Sequence, residues 1–217
     1  MEKSVKVKIC GLTRPEEAAF LNEAGADYGG FVFYGPSKRN ISISRAMEIK
    51  DKLSASISSV AVTVSPDVTL VQKLQKAGFD ILQVHKELSP QVLETAVIPV
   101  WYAVNLTDPA KFREKVDFIS QLPLQLSQKI KGIVVDAGDF GSGKTFDWAR
   151  ITEQFGKQDI FKGRSFILAG GLQPSNVKQG IRLFAPDVVD VSSGVENDLG
   201  KDKNLVTEFI ERVKKDE

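Results

Sequence analysis

One cysteine and one histidine limit the proton chemistry open to this 217-residue chain. Cys10, in KICGLT, and Asp136, in IVVDAG, each end an apolar run. A thiol and a carboxyl can take and give a proton near neutral pH once their surroundings shift them from their ordinary pKa values. Arg39, in FVFYGPSKRNIS, carries a planar guanidinium fork suited to a carboxylate. His85 closes the run LQVH. Two glycine-rich stretches, LAGGLQPSNV with Gly170 and Gly171, and DVSSGVE with Ser192, Ser193 and Gly194, offer backbone N–H groups of the kind that hold a phosphate. A solitary cysteine makes no internal disulfide and no zinc cluster, and one histidine leaves too few ligands for a dedicated transition-metal site. No metal or cofactor is expected. Each residue also has a plainer reading: Cys10 as small apolar core, Asp136 as a loop cap, Arg39 as a solvated charge and His85 as a hydrogen-bonded wall residue.

A second pattern competes. GDFGSGKT at 138–145 fits G-x-x-x-x-G-K-[ST], the phosphate loop of nucleotide hydrolases, and follows the apolar run IVVDA. In such a loop the helix begins within Gly-Lys-Thr; here Asp147, after Phe146, has the position of a helix N-cap, so the helix starts later. The glycines then read as a loop after a strand. The rival remains an open-sheet nucleotide-binding protein with VVDV at 188–191 as its metal-holding strand, recognisable by magnesium-dependent ATP or GTP binding.

These residues must be positioned by elements, and eight β-branched runs recur along the chain. They are VKVKI (5–9), YGGFVF (28–33), SSVAVTV (58–64), DILQVH (80–85), IPVWYAV (98–104), KGIVVD (131–136), SFILAG (165–170) and DVVDVSS (187–193). Segments with apolar residues every three or four positions alternate with them: PEEAAFLNEAG from 15, ISRAMEIKDKL from 43, DVTLVQKLQKAG from 67, SPQVLETA from 89, FDWARITEQFG from 146 and DKNLVTEFIERVKKD from 202. Gly25 and Gly78 are the expected helix stops, and Thr13 with Glu16 has capping-box spacing ahead of the first helix. Eight β-α units in one uninterrupted chain predict a single-domain (β/α)8 TIM barrel over residues 1–217, with an open doubly wound sheet as the alternative. In a barrel the chemistry lies at the C-terminal ends of the strands, where every candidate above falls.

Net charge is +1, with 29 basic and 28 acidic residues, so no global field recruits nucleic acid or an anionic membrane. The N-terminal MEKSVKVKIC has no apolar signal core, and no apolar run reaches the roughly 18 residues of a spanning helix. The expected setting is cytoplasmic, as a monomer or homodimer acting on a small phosphorylated molecule.

KICGLT, GADYGGFVF, VVDAG followed by GSGKTFDW, LAGGLQPSNV, and VDVSSGVE with GKD together resemble the phosphoribosylanthranilate isomerases, in register over essentially the whole chain. That family's glycine-rich loop also ends in Phe-Asp-Trp, which accounts for the phosphate-loop pattern. The resemblance implies a (β/α)8 barrel and a cofactor-free Amadori rearrangement in tryptophan biosynthesis. The substrate would be N-(5-phosphoribosyl)anthranilate and the product 1-(2-carboxyphenylamino)-1-deoxyribulose 5-phosphate. It implies Cys10 as general base, helped by a nearby cation or helix N-terminus, and Asp136 as general acid, raised by burial or a neighbouring negative charge. Arg39 is the candidate for the anthranilate carboxylate. Gly170, Gly171, Ser192, Ser193 and Gly194 are candidates for the phosphate, and His85 for a further ligand contact. Three positions depart from the family: Lys86 stands for a glycine, Lys38 for a proline and Thr63 for a phenylalanine. Another sugar-phosphate isomerase, including one that also takes the histidine pathway's aminoaldose, and a barrel that binds without turnover are the remaining alternatives.

Overall fold

A computed structural model of the chain describes residues 4–105, 108–136 and 159–215. Eight parallel strands, β1 (Lys6–Cys10), β2 (Tyr28–Phe33), β3 (Ser58–Val64), β4 (Ile81–His85), β5 (Val100–Asn105), β6 (Ile130–Asp136), β7 (Ser165–Ala169) and β8 (Val188–Val191), close into a barrel in sequence order. Closure runs through β1 against β8, with Lys8 beside Asp190 and Ile9 beside Val191. The open-sheet alternative is thereby overturned. So is the metal-holding strand it required, because Asp190 lies inside the barrel as the ion-pair partner of Lys8. The phosphate-loop pattern at 138–145, Asp147 and the helix expected from 146 lie outside the described residues.

Helices cover the outside: α1 (Glu17–Ala24), α2 (Ile43–Lys50), α3 (Val68–Lys76), α4 (Pro90–Thr95), α5 (Pro109–Gln121), the short α6 (Leu124–Ser127), α7 (Val177–Phe184) and α8 (Lys203–Lys214). Ser42, Asp67, Ser89, Asp108 and Asp202 each cap a helix start by accepting a backbone N–H through the side chain. Gly25 and Gly78 stop their helices in the left-handed region, as expected. The start of α1 differs from expectation. Glu16 makes no capping bond; Glu17, buried, accepts from the backbone N–H of Thr13 at 2.7 Å and of Arg14 at 3.1 Å. A turn through Pro15 moves the reaching carboxylate one residue along the chain. No helix of the described residues is long and apolar enough to cross a membrane.

Strand period sorts the side chains into two layers. Val7, Ile9, Phe31, Ala61, Leu82, Val84, Ile133 and Val135 face the helices, in one apolar shell. Their alternates, Cys10, Val60, Val62, Ile81, Trp101, Ala103, Val134, Ile167, Ala169 and Val188, fill the barrel itself. The same parity sends Lys8, Gln83, His85, Asp136 and Asp190 inward. Polar residues enter a barrel core only where something compensates them.

Candidate active site

The inward residues at the strand ends border a cavity of about 630 Å³ at the C-terminal mouth. Cys10 comes to it from β1, His85 from β4, Asp136 from β6, Gly170 and Gly171 from the loop after β7, and Ser192 and Ser193 from the loop after β8. Arg39 enters from the loop after β2. All the sequence candidates except Gly194 therefore converge on one space.

Cys10 is 9% exposed and pairs in register with Gly30 of β2. A Cβ on Gly30 would stand 2.9 Å from the Cys10 Sγ and 3.2 Å from Cε of Lys8, so the glycine makes room for both side chains. One inward position below Cys10, Lys8 donates from Nζ to Oδ2 of Asp190 at 2.8 Å. Burial pushes the Cys10 thiol above its ordinary pKa, and Lys8 works against that push. The expected cation is thus present, but desolvation outweighs it. Burial likewise raises the Asp190 carboxyl, opposed by Lys8. Its other oxygen, Oδ1, has no hydrogen-bond partner among the described residues, and Asp190 borders the cavity.

Asp136 is 8% exposed and ends β6 beside Asn105 of β5 and Ala169 of β7. Three strand steps around the barrel, through β8 and β7, separate β1 from β6. The thiol and the carboxyl thus approach the same cavity from well-separated walls. Gln83 lies between β3 and β5 and its amide nitrogen is 2.9 Å from Nε2 of His85. An amide N–H donating to Nε2 leaves the ring proton on Nδ1. Burial first, then the charges of Lys8 and Lys115, lower His85 to about 3, which keeps it neutral.

Arg39 lies across Gly11, where a Cβ would come within 2.4 Å of the arginine Cδ. Gly11 sits at φ 84°, so both the backbone and the space require a glycine there. The guanidinium is engaged by Glu196, from Nε at 2.7 Å and from Nη2 at 2.8 Å. Burial works against the Glu196 charge, yet the hydrogen bonds from Arg39 and Lys201 hold it down at about 2.

The two glycine loops meet at Gly194. A Cβ there would lie 1.9 Å from the carbonyl oxygen of Leu172, so only glycine lets the loop after β8 close onto the loop after β7. Gly194 does not itself border the cavity. Asn176 shapes the β7 loop, accepting from the N–H of Gln173 and donating to the carbonyl of Gly171. Ser192 donates its hydroxyl to the carbonyl of Cys10 at 2.9 Å, joining the phosphate-candidate loop to the end of β1.

Lys8, Asp190, Gln83 and Glu196 were not among the sequence candidates. For the first three a signal existed: a polar residue on the inward parity of an otherwise apolar strand. Glu196 ends the segment VDVSSGVE that carries the resemblance, but its pairing with Arg39, 157 residues away, has no local signal.

The family model for N-(5'phosphoribosyl)anthranilate (PRA) isomerase matches residues 7–212. The curated N-(5'-phosphoribosyl)anthranilate isomerase of Streptococcus gordonii is 37% identical over 210 residues, covering 96% of this chain and 97% of that protein. The Thermotoga neapolitana enzyme of the same name is 39% identical over 214 residues, covering 97% and 98%. The solved phosphoribosyl anthranilate isomerase of Thermotoga maritima superposes with TM-score 0.81 at 34% identity, covering 97% and 98%. Another solved phosphoribosyl anthranilate isomerase, in complex with reduced 1-(o-carboxyphenylamino)-1-deoxyribulose 5-phosphate, gives TM-score 0.79 at 32% identity over the same shares. The chain belongs to the N-(5'-phosphoribosyl)anthranilate isomerase family.

Proposed function

We propose that this chain converts N-(5-phosphoribosyl)anthranilate to 1-(2-carboxyphenylamino)-1-deoxyribulose 5-phosphate, a step of tryptophan biosynthesis, with Cys10 as general base and Asp136 as general acid. The observation that carries the reading is that these two groups border one cavity from separated walls, with Arg39 and both glycine loops at its rim.

The rearrangement needs a proton delivered on one side of a sugar and removed on the other. Asp136 gives its proton to the ribose ring oxygen as the C1–O bond breaks and the aniline nitrogen's lone pair forms the C1=N bond. The Cys10 thiolate then takes the proton from C2, and the C2–H electrons become the C1=C2 bond of an enolamine. Tautomerisation to the C2 ketone completes the reaction, with no net oxidation. Lys8, beside Cys10, favours the thiolate against the burial that disfavours it.

At one end of the substrate, the anthranilate carboxylate meets Arg39. At the other, the phosphate meets backbone N–H groups of Gly170, Gly171 and Ser193, with Gly194 allowing the two loops to close together. Ser192 acts by tying its loop to Cys10, and His85, kept neutral, forms wall rather than charge. The proton inventory supports chemistry by the chain's own groups, without metal or cofactor, and the setting proposed for it is cytoplasmic.

The test is turnover of freshly generated phosphoribosylanthranilate, followed by loss of anthranilate-type fluorescence with no metal or nucleotide added. Asp136→Asn and Cys10→Ala are each expected to lower kcat by about a hundredfold or more. A folded variant at either position with near wild-type kcat removes that residue from the mechanism. Absence of turnover by the folded wild-type chain removes the reaction.

A further inference from the structure

Glu196 has no part in the proton transfers, yet it stands at the centre of the charges at the cavity rim. It lies on a two-residue strand, Glu196–Asn197, paired antiparallel with Gly200–Lys201, and the register sets Glu196 opposite Lys201. Its carboxylate accepts both bonds of the Arg39 fork on one side and the buried Lys201 ammonium on the other, with Lys38 at 3.6 Å. Lys201 is anchored in turn, by Ser192 through the carbonyl at 3.2 Å and the hydroxyl at 3.3 Å. The hairpin itself is seated on α1: the N–H of Lys201 donates to Oε1 of Glu17 at 2.9 Å.

The order of these groups matters. Arg39 borders the cavity, whereas Glu196 and Lys201 do not. Charge therefore alternates from the cavity-lining guanidinium through the carboxylate to the buried ammonium, which also lies near enough to Cys10 to work against the rise of its thiol. A guanidinium presents two bidentate edges, one from Nε and Nη2 along its side and one from the two Nη groups at its end. Glu196 takes the side edge. With the arginine stem laid on Gly11 and its side edge engaged, the end edge is the one left to a ligand.

We infer that Glu196 is a positioning residue for the substrate's aryl carboxylate. It grips Arg39 by the side edge, is itself held by Lys201, and so presents the end edge to the cavity. The inference rests on the reading that Arg39 receives that carboxylate. An arginine held in advance loses less side-chain freedom on binding than a loose one, so the arrangement strengthens recognition without touching the ligand. Simple electrostatics points the other way, because deleting a carboxylate beside Arg39 makes the rim more positive and should favour an anion. The two effects have opposite signs, and a single comparison separates them.

Two probes serve: reduced 1-(o-carboxyphenylamino)-1-deoxyribulose 5-phosphate, and the same molecule with a plain phenylamino group. Their affinity ratio measures recognition of the carboxylate alone. For Glu196→Gln the ratio should fall about tenfold, the low end of the range for a hydrogen bond to a charged group. The plain probe should bind within about twofold of wild type, and KM should rise more than kcat falls. Glu196→Asp, which keeps the charge, should recover part of the ratio. A general loss of structure would weaken both probes alike and leave the ratio standing, which would overturn the inference. A ratio that rises in Glu196→Gln would also overturn it, since Glu196 would then be a competitor for Arg39. Arg39→Lys separates the layers: if it leaves the ratio at the wild-type value, the role of Arg39 falls and that of Glu196 with it. If it collapses the ratio while Glu196→Gln does not, only the role of Glu196 falls.

Discussion

Lys8 and Asp190 meet inside the barrel at 2.8 Å, one inward layer below Cys10, with side chains 0% and 7% exposed. Such a pair gives little net stability, because desolvating two charges offsets most of their attraction, but removing one partner leaves the other buried and unmatched. Lys8→Met should therefore destabilise the fold by about 3–5 kcal/mol in urea unfolding. The double variant Lys8→Met, Asp190→Leu should recover much of that loss. If the double variant is the less stable of the two, the ion pair is not what Lys8 supplies.

The same lysine acts on the thiol. Burial raises Cys10 and Lys8 opposes it, so the net position lies above an ordinary thiol. Because the chain has one cysteine, the difference in ultraviolet absorbance between it and Cys10→Ser reads that thiolate apart from the three tyrosines. Ionisation should come above about pH 8.5, the unperturbed thiol value, and move higher still in Lys8→Met. The rate profile is a poorer guide. Where a base with a high pKa works beside an acid with a lower one, kcat/KM stays level between the two ionisations. A thiolate fully formed by pH 7 would contradict the account.

Strand period made most of this barrel legible. In VKVKIC the alternation that sends Val7 and Ile9 to the helices sends Lys8 and Cys10 inward. The run DVVDVSS carries Asp190 on the same inward parity as Val188. What no local pattern shows is which inward polar residues meet, since Lys8 and Asp190 are 182 residues apart and pair only when the barrel closes. Helix α5 has no clear signal in the sequence because its stretch PAKFREKVDFISQ is mostly charged or polar, with Phe112 and Ile119 buried and the rest facing outward or only part-buried. The Arg39–Glu196 fork was out of reach for a further reason. It depends on a two-residue hairpin too short to carry a period at all.

Gly30 offers a test of the space around the thiol. A methyl group there would stand 2.9 Å from the Cys10 Sγ and 3.0 Å from its Cα, and the second of these cannot move without moving β1. Gly30→Ala should lower kcat by at least about tenfold, because displacing a positioned proton-transfer group by a fraction of an ångström is costly. Overpacking should also cost about 1–3 kcal/mol of stability. A variant that keeps both wild-type kcat and wild-type unfolding would mean that the thiol has slack in this wall. The Gly30 position would then say nothing about catalysis.

His85 is the only histidine, which isolates its contribution to acid stability. Its folded pKa is lowered to about 3, by burial and then by the charges of Lys8 and Lys115, whereas an unfolded histidine titrates near 6.5. Above pH 6.5 both states are neutral, so this residue adds no slope. As pH falls below 6.5 the unfolded chain binds a proton that the folded chain refuses, and stability declines until the folded pKa is reached. Between about pH 6.5 and 4.5 most unfolded carboxylates are still ionised, so the histidine dominates the difference between wild type and a histidine-free variant. Over that window the loss should reach at most about 2–3 kcal/mol, less where cavity water eases the charge. His85→Gln keeps a polar partner for Gln83 and should unfold in urea with a flatter pH dependence across the same interval. Parallel curves for the two proteins would mean that the cavity accepts a charged His85, and the neutral wall it is said to form would have to be abandoned.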